Sequence, residues 1–166
     1  MQTVTPFLWF DDQAEEAANF YVSVFSARRG GAAAGETKIR DVSRYGDAGP
    51  GVAGSVMTVS FQLEGQVFQA LNGGPDHPLT DAISFVVECD GQDEVDELWT
   101  ALTDGGEEVA CGWLTDRYGL SWQIVPKVLF ELLNDPDPER AQRAMKTKLR
   151  MKKLDIAELQ RAADAA

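Results

Sequence analysis

A chain of 166 residues, 44% hydrophobic and 25% charged, has room for one domain with a proper core or for two small halves, and this composition argues against disorder. Its 15 Lys and Arg against 27 Asp and Glu give a formal net charge of -12, which disfavours nucleic acid as a partner and leaves a small molecule or a protein. No run approaches the ~20 apolar residues of a membrane span, and the opening MQTVTPFLWFDD lacks the features of a signal peptide, so the expected setting is cytoplasmic, with no membrane partner.

Taken in chain order, TPFLWF (5–10) predicts a buried strand, with Asp11 and Asp12 as helix N-cap candidates and Glu15 at capping-box distance from Asp12. Ala14, Ala17, Ala18, Tyr21, Val24 and Phe25 then recur at helical spacing and form one apolar face. Strands follow over 36–44, 55–63 and 66–72, with the loop YGDAGPGVAG between the first two and a hairpin turn at Glu64-Gly65. About 78 residues on, the pattern is written again: AISFVV (82–87) as a strand, Asp90 as a cap, and Val95, Leu98, Trp99 and Leu102 as counterparts of Ala17, Phe20, Tyr21 and Val24. Asp104-Gly105-Gly106 stops that helix, and strands are predicted over 107–111, 113–115 and 120–125, the last entered by a turn at Tyr118-Gly119.

Each half is therefore βαβββ and the fold class α+β, two such modules with a helical C-terminal extension. A four-stranded sheet covered by one helix leaves its other face open, and two such sheets side by side would enclose a cleft. The boundaries read 1–126 for the paired modules, at about 1–74 and 80–126, and 127–166 for the extension. In that extension a helix is expected over 128–133, another starts at Asp137-Pro138-Glu139, and Asp155 with Glu158 makes a capping box for the last. Arg140, Arg143, Lys146, Lys148, Arg150, Lys152 and Lys153 concentrate positive charge there, read as a complement to the acidic body, with the tail docked on its own domain or on a second subunit.

If strand alternation holds, Thr5, Phe7, Trp9, Ala82, Ser84, Val86, Ser121, Gln123 and Val125 face the open side and line a ligand pocket, mostly apolar with a few polar anchors. The alternative is that Phe7 and Trp9 fill a core. Cys89 and Cys111 lack CxxC spacing, so neither a zinc site nor a disulfide framework is indicated. Cys111 beside Gly112 and Trp113 is the best nucleophile candidate, yet no histidine accompanies it, and a structural thiol is the expectation. His77, the only histidine, stands in the loop NGGPDHP and reads as an exposed side chain. Asp11, Asp12, Glu15 and Glu16 crowd a helix start, where they favour the macrodipole.

The stretches TPFLWFDDQAEEAANFYVSVF, AISFVVECD and GEEVACGWLTDRYGLSWQIVP, with the tail from DPDPERAQRAM to MKKLDIAELQ, resemble the PhnB-like family of the glyoxalase/bleomycin resistance/dioxygenase, or vicinal oxygen chelate, superfamily. The resemblance implies paired βαβββ modules, a homodimer and a ligand cleft. Members are often labelled demethylubiquinone methyltransferases. A methyltransferase of the common type needs a Gly-rich turn between strand and helix, whereas GDAGPGVAG lies between two strands. In metal-using members of the superfamily, His and Glu on the first and fourth strands hold a divalent cation. Those slots fall here on Thr5, on Ala82, somewhere in a strand over 67–72 without carboxylate or imidazole, and on Gln123 where Glu would be expected. The resulting expectation is a metal-free, cofactor-free small-molecule-binding protein with no catalytic residue assigned. A divergent metal-dependent glyoxalase or dioxygenase-type enzyme is the alternative, and methyl transfer stands third.

Overall fold

The structure is a computed structural model and describes residues 4–28 and 35–165. It divides into two compact units, Met1–Leu79 and Thr80–Ala166. The first contains β1 (Phe7–Phe10), α1 (Ala14–Ala27), β2 (Lys38–Arg44), β3 (Val56–Leu63) and β4 (Gln66–Asn72). The second contains β5 (Phe85–Cys89), α2 (Gln92–Thr103), β6 (Glu107–Glu108), β7 (Trp113–Thr115) and β8 (Ser121–Pro126), then α3 (Lys127–Leu133), α4 (Pro138–Lys148) and α5 (Ile156–Asp164). Each unit has a mixed four-stranded sheet, in the order β1-β4-β3-β2 and β5-β8-β7-β6. In both, the first strand runs parallel to the last and forms the sheet edge.

Alternation along the strands decides which face meets the helix. In the first unit Leu8, Phe10, Val59, Phe61, Phe68 and Ala70 are buried with Ala14, Ala17, Ala18, Tyr21 and Phe25 of α1. Tyr21 stacks on Phe61 with ring centroids 6.1 Å apart, and Phe61 on Phe68 at 5.2 Å. Alanines at the start of α1 let the helix lie close to the sheet, while the aromatic rings fill the wider end. The second unit repeats the plan with Val87, Cys89, Leu114, Trp122 and Ile124 against Val95, Leu98, Trp99 and Leu102. Glu64 (φ 47) and Gly65 (φ 88) form the two-residue hairpin turn expected from the sequence, since both positions need left-handed backbone.

Some local expectations change. α1 has Gln13 at its N-cap with no side-chain cap, so the Asp12–Glu15 capping box does not form. Asn72, at the end of β4, supplies the missing acceptor: its Oδ1 takes the Ala14 N–H at 2.8 Å. α2 starts from Gly91 rather than Asp90, and Glu94 reaches back to accept the Asp90 N–H at 2.7 Å. The strand expected over 107–111 stops at Glu108, because Ala110–Gly112 form a 3-10 turn in which Cys111 (φ 65) and Gly112 (φ 86) are left-handed. The backbone N–H groups of Cys111 and Gly112 turn instead to the carbonyls of Met151 and Lys152, both at 2.8 Å.

The C-terminal helices belong to the second unit. Val125, Leu129, Leu132, Ala144, Met151, Leu154, Leu159 and Ala163 make one buried cluster. Asp137 and Asp155 cap α4 and α5 as their sequence predicts, accepting from the N–H of Glu139 and Glu158. The tail docks on its own unit through Lys153–Asp96 at 2.6 Å and Lys152–Glu108 at 3.8 Å. Gln92 adds a second tie by donating to the Leu154 carbonyl and accepting from the Ile156 N–H.

Candidate functional site

The open face of the first sheet is built from the side chains that alternate with the core. Register places two rows across it: Trp9, Leu71, Thr58 and Ser43 in one, Phe7, Gln69, Ser60 and Asp41 in the next. Trp9 is half-buried on this face, and its indole lies over Gly73, where a Cβ would come within 2.2 Å of the ring. Its Nε1–H donates to the Gly74 carbonyl at 2.8 Å. The His77 ring stands edge-on to it with centroids 4.6 Å apart. The sequence places His77 in an exposed loop, and it is exposed; the loop nevertheless returns it to Trp9 on the open face. Ser43 and Thr58 share a hydrogen bond of 2.6 Å, and Gln69 Nε2 donates to Ser60 Oγ at 3.1 Å.

On the second sheet, Gln123 pairs in register with Val86 on one side and Trp113 on the other. Its Nε2 donates to Ser84 Oγ at 2.9 Å. Val86 is 52% exposed and Phe7, in the first unit, 59%. Thr5 and Ala82 are exposed but precede β1 and β5 rather than lying in them. Ser121 is buried at 2% exposure, and Val125 is buried in the C-terminal helical cluster, so neither lines an open face. The strand is aimed by Asp116, whose buried carboxylate accepts from the Tyr118 and Leu120 N–H groups and from Trp122 Nε1 at 2.8 Å.

A cavity of about 420 Å³ lies past the C-terminal ends of β1 and β4 in the first unit, lined by Asp11, Asp12, Glu15, Tyr45 and Asn72 among others. Tyr45 organises its wall. The ring sits where a Cβ on Gly49 or Gly51 would collide, and its hydroxyl donates to the Asn72 carbonyl at 2.6 Å. No sequence motif marks this cavity or Gln69, which becomes visible only through the strand register.

The donor set does not suit a metal ion. Among the described residues no three His, Cys, Asp or Glu side chains gather into a group that could hold one. The central positions of the fourth strands, Gln69 and Gln123, offer neutral amides, where a divalent cation takes carboxylate or imidazole. Cys111 is half-buried in its turn and Cys89 is buried; neither stands in a disulfide. The single histidine belongs to the other unit.

Two βαβββ units, each with one open sheet face, define the class as that of the glyoxalase/bleomycin resistance fold, in the vicinal oxygen chelate superfamily. The chain belongs to the 3-demethylubiquinone-9 3-methyltransferase, or PhnB-like, family, whose model matches residues 2–125. Among solved structures it is similar to the PhnB protein from Bacillus cereus, at 34% identity over 75% of this chain and 99% of that one, with a TM-score of 0.64. The protein PA1353 from Pseudomonas aeruginosa shares the fold at 20% identity and a TM-score of 0.59, covering 76% and 98% of the two chains. The fosfomycin resistance protein FosX from Listeria monocytogenes does so at 14% identity and 0.55, covering 80% and 97%. No match was found among curated proteins.

Proposed function

We propose that this protein binds a small, partly apolar molecule on the open faces of its sheets, without a bound metal, and works as a cytoplasmic homodimer. The observation that carries the reading is the exposure of Phe7 and Val86 at 59% and 52% on faces that also present Trp9, Gln69 and Gln123. Apolar side chains left open beside fixed polar groups are the usual make-up of a ligand-binding surface. Aromatic area supplies affinity, and the hydrogen-bonded amides supply orientation. No residue is assigned a catalytic step.

The family label suggests methyl transfer, but the strand-to-helix turns after β1 and β5 run Asp11-Asp12-Gln13 and Asp90-Gly91, with no glycine-rich cradle for a nucleotide-like cofactor. Among the described residues no helix is long and apolar enough to cross a membrane. The test combines metal analysis of tag-free protein with thermal unfolding in chelator, in Mn, Ni, Zn and Fe(II), in S-adenosylmethionine and across a library of small amphipathic compounds. The expected result is metal well below stoichiometric, no shift with metals or S-adenosylmethionine, and stabilisation by a subset of the library; a ligand at 100 times its Kd adds about 2.7 kcal/mol. Stoichiometric metal with a raised midpoint would overturn the metal-free reading and send the protein to isomerase and ring-cleavage assays. Light scattering that gives a monomer would remove the homodimer.

A further inference from the structure

The two modules match at one polar position that no sequence motif marks. β1 ends at Phe10, which pairs with Asn72, and β5 ends at Cys89, which pairs with Pro126. Counting back along the fourth strand from those partners, Gln69 and Gln123 stand at the same place, paired with Phe7 and Val86 on the parallel edge strands. Each glutamine is held by a serine: Gln69 Nε2 donates to Ser60 Oγ at 3.1 Å, and Gln123 Nε2 to Ser84 Oγ at 2.9 Å. The serines come from different places, Ser60 from β3 and Ser84 from the residue just before β5, so the pairing is reached twice by different routes. Among the described residues neither Oε1 accepts a hydrogen bond, and each amide keeps a second N–H.

We infer that Gln69 and Gln123 are matched recognition residues, one on each module's open face, which take an uncharged ligand carrying a carboxamide or hydroxyl group beside an apolar body. The inference rests on the open faces being binding surfaces and goes further by naming the ligand class. Charge decides the class. The row of Gln123, with Val86 and Trp113, carries no ionisable side chain; that of Gln69, with Phe7 and Ser60, carries one only at its far edge, the carboxylate of Asp41. Within those rows a carboxylate or phosphate ligand would meet no counter-charge, since the register-paired cations of the first sheet, Lys38 and Arg44, stand in other rows beside Gln62 and Val56, and a metal chelate would meet neutral amides. A neutral amide or alcohol can instead donate to Oε1 and accept from the free N–H, while its apolar part covers Phe7 or Val86 and Trp113.

The test uses benzamide and benzoate, which share shape and differ in charge, titrated into the full-length protein while the side-chain NH₂ resonances of Gln69 and Gln123 are followed by NMR. Gln69→Met and Gln123→Met assign the signals, and being close to isosteric they should leave the backbone spectrum folded. The inference expects benzamide to shift these NH₂ signals with an apparent affinity at least tenfold above that of benzoate, and each Met variant to abolish that preference at its own module. Benzamide that moves the Trp9 indole or the Val86 methyls while leaving the glutamine amides still, or benzoate that binds equally well, would overturn the recognition role and leave open-face binding standing. No perturbation of either face by benzamide up to its solubility limit would overturn both.

Discussion

Asn72 shows how much one side chain can organise. Its Oδ1 caps α1 at Ala14, its Nδ2 donates to the Val56 carbonyl at 3.2 Å, and its own carbonyl accepts from Tyr45. Asn72→Ala removes an N-cap and a cross-strand tie together and should cost about 1 to 2 kcal/mol, read as a lower urea midpoint at unchanged slope. Gly73 is constrained differently, by the Trp9 ring that occupies the space of its absent Cβ. Gly73→Ala should displace the indole, break its bond to the Gly74 carbonyl and cost about 1 to 3 kcal/mol. A shift in tryptophan emission in the folded protein would confirm the displacement, whereas a wild-type spectrum with full stability would contradict it. Asp116→Ala would strand the buried Trp122 Nε1–H and two backbone donors, at a cost of about 3 kcal/mol measured by thermal unfolding.

At the level of elements, the sharpest question is what holds the C-terminal tail. Lys153, and then Gln92, hold the Asp96 carboxyl below its ordinary value of 3.8. A carboxylate depressed in the folded state adds stability that is present above 3.8 and is lost as pH falls through the lower folded value. Asp96→Asn should therefore weaken the tail at neutral pH and lose its effect in acid. Because both side chains are substantially exposed, the ion pair contributes little beside the packing beneath it. Leu154→Ala, which empties a fully buried position in the helical cluster, should cost about 2 to 5 kcal/mol. Hydrogen exchange at the Cys111 and Gly112 amides, which bond to Met151 and Lys152, would report tail release directly.

For the whole molecule, the helical extension completes the second unit: Val125 of β8 is buried among Leu129, Leu132 and Leu154. Removing residues 127–166 should expose Val125 and the end of β8, so that the second unit unfolds or aggregates while the first keeps its Tyr21–Phe61–Phe68 stack. Two unfolding transitions in the intact chain, with only the second altered by Leu154→Ala, would support two separately cooperative units. A single transition that moves as a whole would show that they unfold together.

The element plan was legible because it rests on local periodicity. Ala17, Tyr21, Val95, Leu98 and Trp99 recur at helical spacing, the strands alternate, and Asp137 and Asp155 precede the helices they cap. The hairpin at Glu64-Gly65 was legible for the same reason, since its backbone is a property of those two residues. Contacts between residues far apart in sequence were not legible. Asn72 displaces Asp12 as the cap of α1, the tail draws Cys111 and Gly112 out of a strand, and Val125 is taken by helices that follow it. Gln123 could be singled out from its own strand, but Gln69 could not, because its equivalence depends on parallel pairing with β1 that no local pattern encodes. By itself, then, the sequence determined which segments are helix or strand and which side of each is apolar, because those preferences act within a few residues. Only the tertiary structure decided which polar groups meet, because hydrogen bonds across a sheet depend on register and on what the rest of the chain brings alongside.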